Sequence, residues 1–450
     1  MVIGGGAAGT LAAVHLLRAA GSEPVEVLLL DRAGSFGPGV AYATASPLHL
    51  LNVPACRMGG IAGRPEHFLE WLRDGGEEVD PAAFVARGRF GSYLVDLLEA
   101  AAREAGRARL VRRRGDAVGL PRTPGAGRPL AVELATGERL EADHVVLAVG
   151  PLPGSAPFPV PPDLPAGAFV ADPWAPGALA SAGGDSILIV GTGLSMVDVA
   201  LSLADGPARP SVRAVSRHGL LLRPHRSGLT RLDRFRRPAT DGGLDSLLAA
   251  FFAEVTRAGA VGGDWRDVMD SMRPLGPALW RQLRVAEKQR FLATLHRVWD
   301  VHRFRMAPQI AAGVGRLRDE GRLRIEAAVV GGMAAREGRV EVEIEGDGGR
   351  ETLVVDRVVN CAGAGTDISR QAPPPIAAML ADGTARPDPL GLGLDVDPEG
   401  ALIDAAGRPS ARIHVVGALR LGVDWETIGV TEIRDQAAAV ARRIVASGRT

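Results

Sequence analysis

Two glycine-rich turns are the places where this chain could do chemistry. The first is Gly4-Gly5-Gly6-Ala7-Ala8-Gly9, a full G-x-G-x-x-G. Gly4 allows a tight turn and Gly6 lets backbone approach a pyrophosphate. Gly9, following Ala8, lets helix and strand pack closely. A helix starting there presents unbonded N–H groups and a positive dipole end to phosphates. Asp31, with Arg32 beside it, closes the next strand 22 residues after Gly9, where a carboxylate can bond a ribose hydroxyl. The second turn is Gly191-Thr192-Gly193-Leu194-Ser195-Met196. Here Gly191, Gly193 and Ser195 can meet a dinucleotide, but Met196 replaces the third glycine, so helix and strand are expected to stay further apart. The strand after it ends in Ser216 and Arg217 rather than an acid. An arginine there pairs with a 2′-phosphate, so the second site reads as NADPH and the first as FAD.

A third concentration of chemistry is Trp299-Asp300-Val301-His302-Arg303-Phe304-Arg305-Met306. On a helix, Asp300 would neighbour Arg303, and His302 would neighbour Met306. Asp300, His302 and Arg305 are the candidate catalytic residues: an arginine, Arg303 or Arg305, to hold an anionic substrate or an NADPH phosphate, and an imidazole to move a proton. The competing reading is a salt-bridged helix that only packs against its neighbour. Trp425-Glu426 and Glu432 form another candidate group, where a carboxylate could orient substrate, although Glu432 reads more readily as capping or charging the first turn of the last helix. His218 and His225, flanking Arg223, could contact NADPH or lie in a solvated loop.

The elements that must position these residues are legible. Met1–Ile3, the glycine turn, a helix over 10–20 and the run VEVLLLD make a βαβ unit. The first strand is short, which leads us to expect a start upstream. The pattern returns in SILIVGTGLSMVDVALSLA and SVRAVSR. Between the two lies the Pro/Gly-rich stretch 151–167, read as a linker. Residues 240–315 have helical spacing, and LRIEAAVVGG with RVEVEIEG alternates like a β-meander. HVVLAVGP, RVVNCAGAG and IHVVGALRLG are strands with glycine exits, and a helix over about 432–446 closes the chain.

Composition excludes several classes. The 450 residues are 46% hydrophobic and 23% charged with a formal net charge of +0, so no basic field exists to hold nucleic acid or an anionic membrane. One of the 52 basic residues, Lys288, is a lysine, which disfavours Schiff-base chemistry. Two distant cysteines, Cys56 and Cys361, argue against a disulfide scaffold, a zinc site or a dithiol reductase, and for a cytoplasmic protein. No metal-ligand spacing and no membrane span is read in the sequence.

Several stretches together carry a family resemblance: IGGGAAGTL, GPGVAYATASPLHLLNVPACRMGG, FVARGRFGSYL, IVGTGLSMVDVALSL, LHRVWDVHRFRMAP, VVNCAGAGTD and WETIGVTEIRDQAAAVA. The chain resembles the bacterial FAD/NAD(P)-binding flavoproteins that include FAD-dependent urate hydroxylase, relatives of the flavin monooxygenases. The resemblance implies an α/β protein with two Rossmann-like domains. The FAD domain would come from residues 1–155 and 321–450. An NAD(P)H domain would span 156–320, with a helical insertion at about 230–315. By position, Asn52 and Met58 in the loop 47–58, Arg87, Gly150 and Gly417 would line the FAD. Ala418 departs from the pattern by standing where many flavoproteins have an aspartate, and Cys56 with Gly59–Gly60 is unusual in its loop. The implied activity is NADPH-dependent hydroxylation of a small polar metabolite by O2 through a flavin hydroperoxide, at nitrogen or a heteroaromatic carbon. A reductase without oxygen insertion and a non-catalytic FAD-binding redox sensor are the alternatives. The sequence leaves the oligomeric state open.

Overall fold

The computed structural model describes residues 1–121, 128–179, 185–235 and 242–447. Residues 236–241, at the start of the stretch expected to be helical, lie outside it.

A six-stranded sheet runs in the order Ala401–Ile403, Pro409–Val415, Val145–Leu147, Val2–Ile3, Glu26–Asp31, Arg109–Arg114. All its pairings are parallel except the one at the Ala401–Ile403 edge. The first strand needs only two residues because both its sides are paired, Val2 to Leu29 and to Val146. Helix Ala7–Ala20 returns across this sheet. Leu11, Val14 and Leu17 recur at helical spacing and are at most 1% exposed, each contributing about 1.5–3 kcal/mol by burial. The helices Arg87–Glu104 and Val430–Ser447 pack against it in the same core.

A seven-stranded sheet forms the second unit, in the order Gly349–Val355, Arg339–Gly346, Leu323–Arg336, Ser211–Ser216, Ser186–Val190, Arg357–Asn360, Phe169–Val170. The expected meander is therefore not part of the returning FAD half: residues 323–360 belong to this second sheet, and the chain rejoins the first sheet only with Ala401–Ile403. The cause is the long strand Leu323–Arg336. Its start pairs in parallel with Ser211–Ser216, and its end turns into antiparallel hairpins. Alternation along a strand shows which face is buried, not which sheet it joins.

The two crossings between the units run side by side. The Gly365 N–H donates to the Leu152 carbonyl at 3.1 Å, and a Cβ on Gly154 would lie 2.4 Å from the Gly363 carbonyl oxygen. A small antiparallel sheet, Ala117–Gly119, Leu130–Leu134 and Arg139–Ala142, covers the first unit. Helices from Gly243–Ala260 to His296–Arg303 form the insertion. No described helix is long and apolar enough to cross a membrane.

Candidate functional site

Backbone alone fits inside the first turn. Gly4 has φ +106°, and a Cβ there would lie 2.3 Å from the Ala148 carbonyl oxygen. A Cβ on Gly9 would lie 1.7 Å from the Gly4 carbonyl oxygen, so helix and strand meet at a separation only glycine allows. Gly6 caps the helix without a side-chain acceptor, and the ladder starts with the Thr10 N–H on the Gly6 carbonyl. The earlier N–H groups are left for an outside acceptor such as a phosphate. The Asp31 carboxylate accepts from the N–H groups of Gly5 (3.0 Å), Ala33 (2.9 Å) and Ser35 (3.2 Å). Those bonds take three of about four acceptor sites, which leaves one for a ribose hydroxyl. Arg32 is exposed.

The chain's far end reaches this turn. Gly417, at φ +87°, would place a Cβ 3.4 Å from the Ala8 side chain. Its N–H donates to Gln436 Oε1 at 2.9 Å, and the Thr427 hydroxyl donates to its carbonyl at 3.3 Å. Gly150, at φ +81°, has open space around it. This set fits a dinucleotide with a free ribose. The remaining predicted FAD residues have other partners. Arg87 pairs with Asp198 in the second unit and stands over the Trp174 ring at 5.7 Å. Burial pushes the Asp198 carboxyl up, and the Arg87 guanidinium offsets only part of that. The Asn52 carbonyl accepts from His225 Nε2 at 3.0 Å, and Met58 is buried in the core of the first unit.

The second turn is looser, as its sequence implies. Gly191 is at φ +111° with a Cβ position 2.1 Å from the Cys361 carbonyl oxygen, whereas nothing lies within 4 Å of a Cβ on Gly193. Gly193 caps helix Leu194–Asp205 without a side-chain bond, Ser195 is half-buried in its first turn, and Met196 is fully buried. The Ser216 hydroxyl meets Thr192 Oγ1 at 2.9 Å, fixing the turn. Arg217 beside it is exposed and makes no ion pair among the described residues.

The run 299–306 separates in space. Its helix ends at Arg303, short of Met306, which removes the His302–Met306 pairing; Asp300 and Arg303 are both helical but take different partners. Asp300 instead faces His296 Nε2 at 2.9 Å and Arg297 at 3.6 Å. Arg303 donates to Glu426 at 2.7 Å, and Met306 forms a bridge with Pro224. Arg305 is 2% exposed and paired with Asp270. Of the three catalytic candidates, His302 lines the cavity of the helical insertion, edge-on to Trp265 at 4.8 Å, while Asp300 and Arg305 do not. Its Nδ1–H donates to the Val298 carbonyl at 2.7 Å. His225 is lowered to about 3 by burial and then by the Arg305 guanidinium.

Residues 1–152 match the family model described as FAD-NAD(P)-binding. No curated protein sequence matches the chain. Ornithine N-hydroxylase of Kutzneria sp. 744, solved with FAD, NADP+ and ornithine, superposes with a TM-score of 0.66 at 15% identity, covering 100% of this chain and 99% of that one. L-lysine 6-monooxygenase from Pseudomonas syringae gives 0.63 at 18% identity, covering 99% and 97%. Thioredoxin reductase from T. acidophilum gives 0.55 at 12%, covering 100% and 98%. The chain has the two-dinucleotide-domain flavoprotein fold.

Within that flavoprotein fold, several polar residues that the sequence did not flag hold the parts together. Arg273 donates to Glu432 at 2.6 and 2.9 Å. Burial alone would raise the Glu432 carboxyl, but Arg273 holds it below the usual range. Arg57 reaches the Thr230 hydroxyl at 3.0 Å and Asp270 at 3.6 Å. Burial pushes Asp270 up as well, and Arg305, the Thr230 hydroxyl, Arg303 and Arg57 together more than offset it. Glu426, held in left-handed backbone at φ +68°, accepts from Trp299 Nε1 and Arg303 Nε, both at 2.7 Å. Such strain in a buried carboxylate marks a position worth testing. Arg57, Arg273 and Asp270 carry no local motif, and their partners lie far away in sequence. The Gly59–Gly60 oddity does have a local account: a Cβ on Gly59 would lie 2.2 Å from the Arg64 carbonyl oxygen, and Gly60 donates to the Tyr93 hydroxyl at 2.8 Å.

Proposed function

We propose that the chain is an NADPH-dependent FAD monooxygenase that hydroxylates a small metabolite at a polar centre, with O2 as co-substrate. The observation that carries this is the pairing of two unlike glycine turns in one fold: a tight one with Asp31 and a looser one with Arg217. The full-length likeness to ornithine and lysine hydroxylases supports the same reading. Gly4, Gly6, Gly9, Asp31 and Gly417 would hold the FAD, which supplies hydride acceptance and oxygen activation when bound. The backbone of Gly191 and Gly193 would carry the NADPH pyrophosphate, and Arg217 its 2′-phosphate. Glu426 and His302, at the insertion cavity, would orient the substrate and move its proton.

The thiols argue against dithiol chemistry. Both cysteines are buried and free. Burial raises Cys56 and pushes Cys361 up to about 12, whereas an attacking thiol needs a lowered pKa. Two free thiols also suit a cytoplasmic location.

The test is a purified sample with a flavin absorption spectrum that consumes NADPH in preference to NADH, and O2 with it. Absence of flavin would overturn the proposal. Arg217→Ala should raise the KM for NADPH roughly tenfold, the loss of a charge-assisted bond, and leave that for NADH unchanged. An equal effect on both cofactors would remove the 2′-phosphate role.

A further inference from the structure

The insertion, with Trp425 and Glu426, lines an open-mouthed cavity of about 360 Å³, the size of a small-molecule site. Leu247, Phe251, Met269, Leu279, Trp280 and Trp425 make up much of its wall. Two charged side chains reach it, and neither is free: Arg273 is paired with Glu432, and Glu426 with Arg303. An ionised ligand group would thus enter without a compensating charge, which is strongly unfavourable. The wall also holds a buried donor without a partner among the described residues. Trp425 is 8% exposed and its indole N–H has no partner, although buried indoles usually find one. At the margin, Phe252 and Val298 are 64% and 51% exposed, so apolar surface continues from the cavity toward solvent. On the other side, Trp425 and Glu426 adjoin Thr427, which is bonded to Gly417.

We propose that this cavity receives the apolar body of the substrate, an uncharged alkyl chain or aromatic ring, and leaves the polar reacting end near Trp425 and Glu426. The proposal rests on the monooxygenase reading and narrows its substrate to molecules with an uncharged apolar portion.

Two probes of equal length separate the possibilities, 1-octanol and 1,8-octanediol. The second differs only in carrying a polar group at the far end. Four of the six tryptophans line the cavity, Trp265, Trp280, Trp299 and Trp425, so intrinsic fluorescence of the flavin-loaded protein reports binding. Octanol should bind at least tenfold more tightly than the diol. Phe251→Asn, which adds polarity, and Val255→Trp, which fills the space, should each weaken octanol binding about tenfold while the flavin spectrum persists. Equal binding of both probes, or octanol binding indifferent to both variants, would overturn the proposal. Flavin-bearing protein that ignores octanol overturns the cavity assignment alone. Protein that binds octanol but carries no flavin overturns the monooxygenase reading instead. A concentration-dependent dimer that Phe252→Ser dissolves, with no octanol response, would make the cavity an interface between copies and also overturn the proposal.

Discussion

At the scale of single residues, the buried histidines set how stability depends on pH. His414 is fully buried with neither ring nitrogen partnered, and burial lowers it to about 4. His15 is likewise lowered to about 4 by burial, partly offset by the bond from Nε2 to the Gly60 carbonyl at 3.2 Å. Unfolded, each titrates near 6.5. Between pH 6.5 and 4 the unfolded chain therefore binds more protons than the folded one. The stability contribution is full above the unfolded value and is lost as pH falls toward the folded one, by about 1.4 kcal/mol per unit for each histidine. The melting temperature should fall steeply from pH 7 to pH 5. His414→Phe should reduce that slope by about one proton, and an unchanged slope would show that His414 is not a source of it.

At the scale of elements, the two glycine turns look alike in sequence and differ in how closely helix approaches strand. Gly9→Ala should cost about 1–3 kcal/mol, because the added carbon meets backbone that cannot move aside. It should also lose bound flavin during gel filtration. Gly193, at φ −83° with open space around it, should accept alanine within about 0.5 kcal/mol. If a dinucleotide lies against its backbone, the KM for NADPH still rises in Gly193→Ala while the melting temperature does not move. Destabilisation by Gly193→Ala as large as that by Gly9→Ala would contradict the open space at Gly193. That difference was legible in the sequence, since Met196 replaces the third glycine. The sheet assignment of the alternating run 323–355 was not legible, because its pattern satisfies either sheet edge.

At the scale of the molecule, the insertion is fastened to the returning C-terminal segment by ion pairs distant in sequence: Arg273 with Glu432, Arg281 with Asp424, Arg303 with Glu426. Arg303 is 7% exposed, so Glu426→Gln takes from a buried charge the carboxylate to which it is bonded. This should cost about 3–5 kcal/mol in denaturant titration, and adding Arg303→Met should recover most of it. Failure of the double variant to recover would mean that Glu426 acts through its strained backbone rather than through charge.

The sequence alone determined the two glycine turns, the strands and helices that present them, and Asp31 at the end of the second strand. Those features are local, set within about 30 residues by glycine spacing and apolar period. The tertiary structure decided which residues share a site. Trp299 and Arg303 meet Glu426 more than a hundred residues later, Asp300 and Arg305 turn to separate partners, and Gly417 comes up against Ala8 from the far end of the chain. Such contacts depend on how far the backbones approach and on which buried charge finds its counter-charge, and neither leaves a pattern in neighbouring residues.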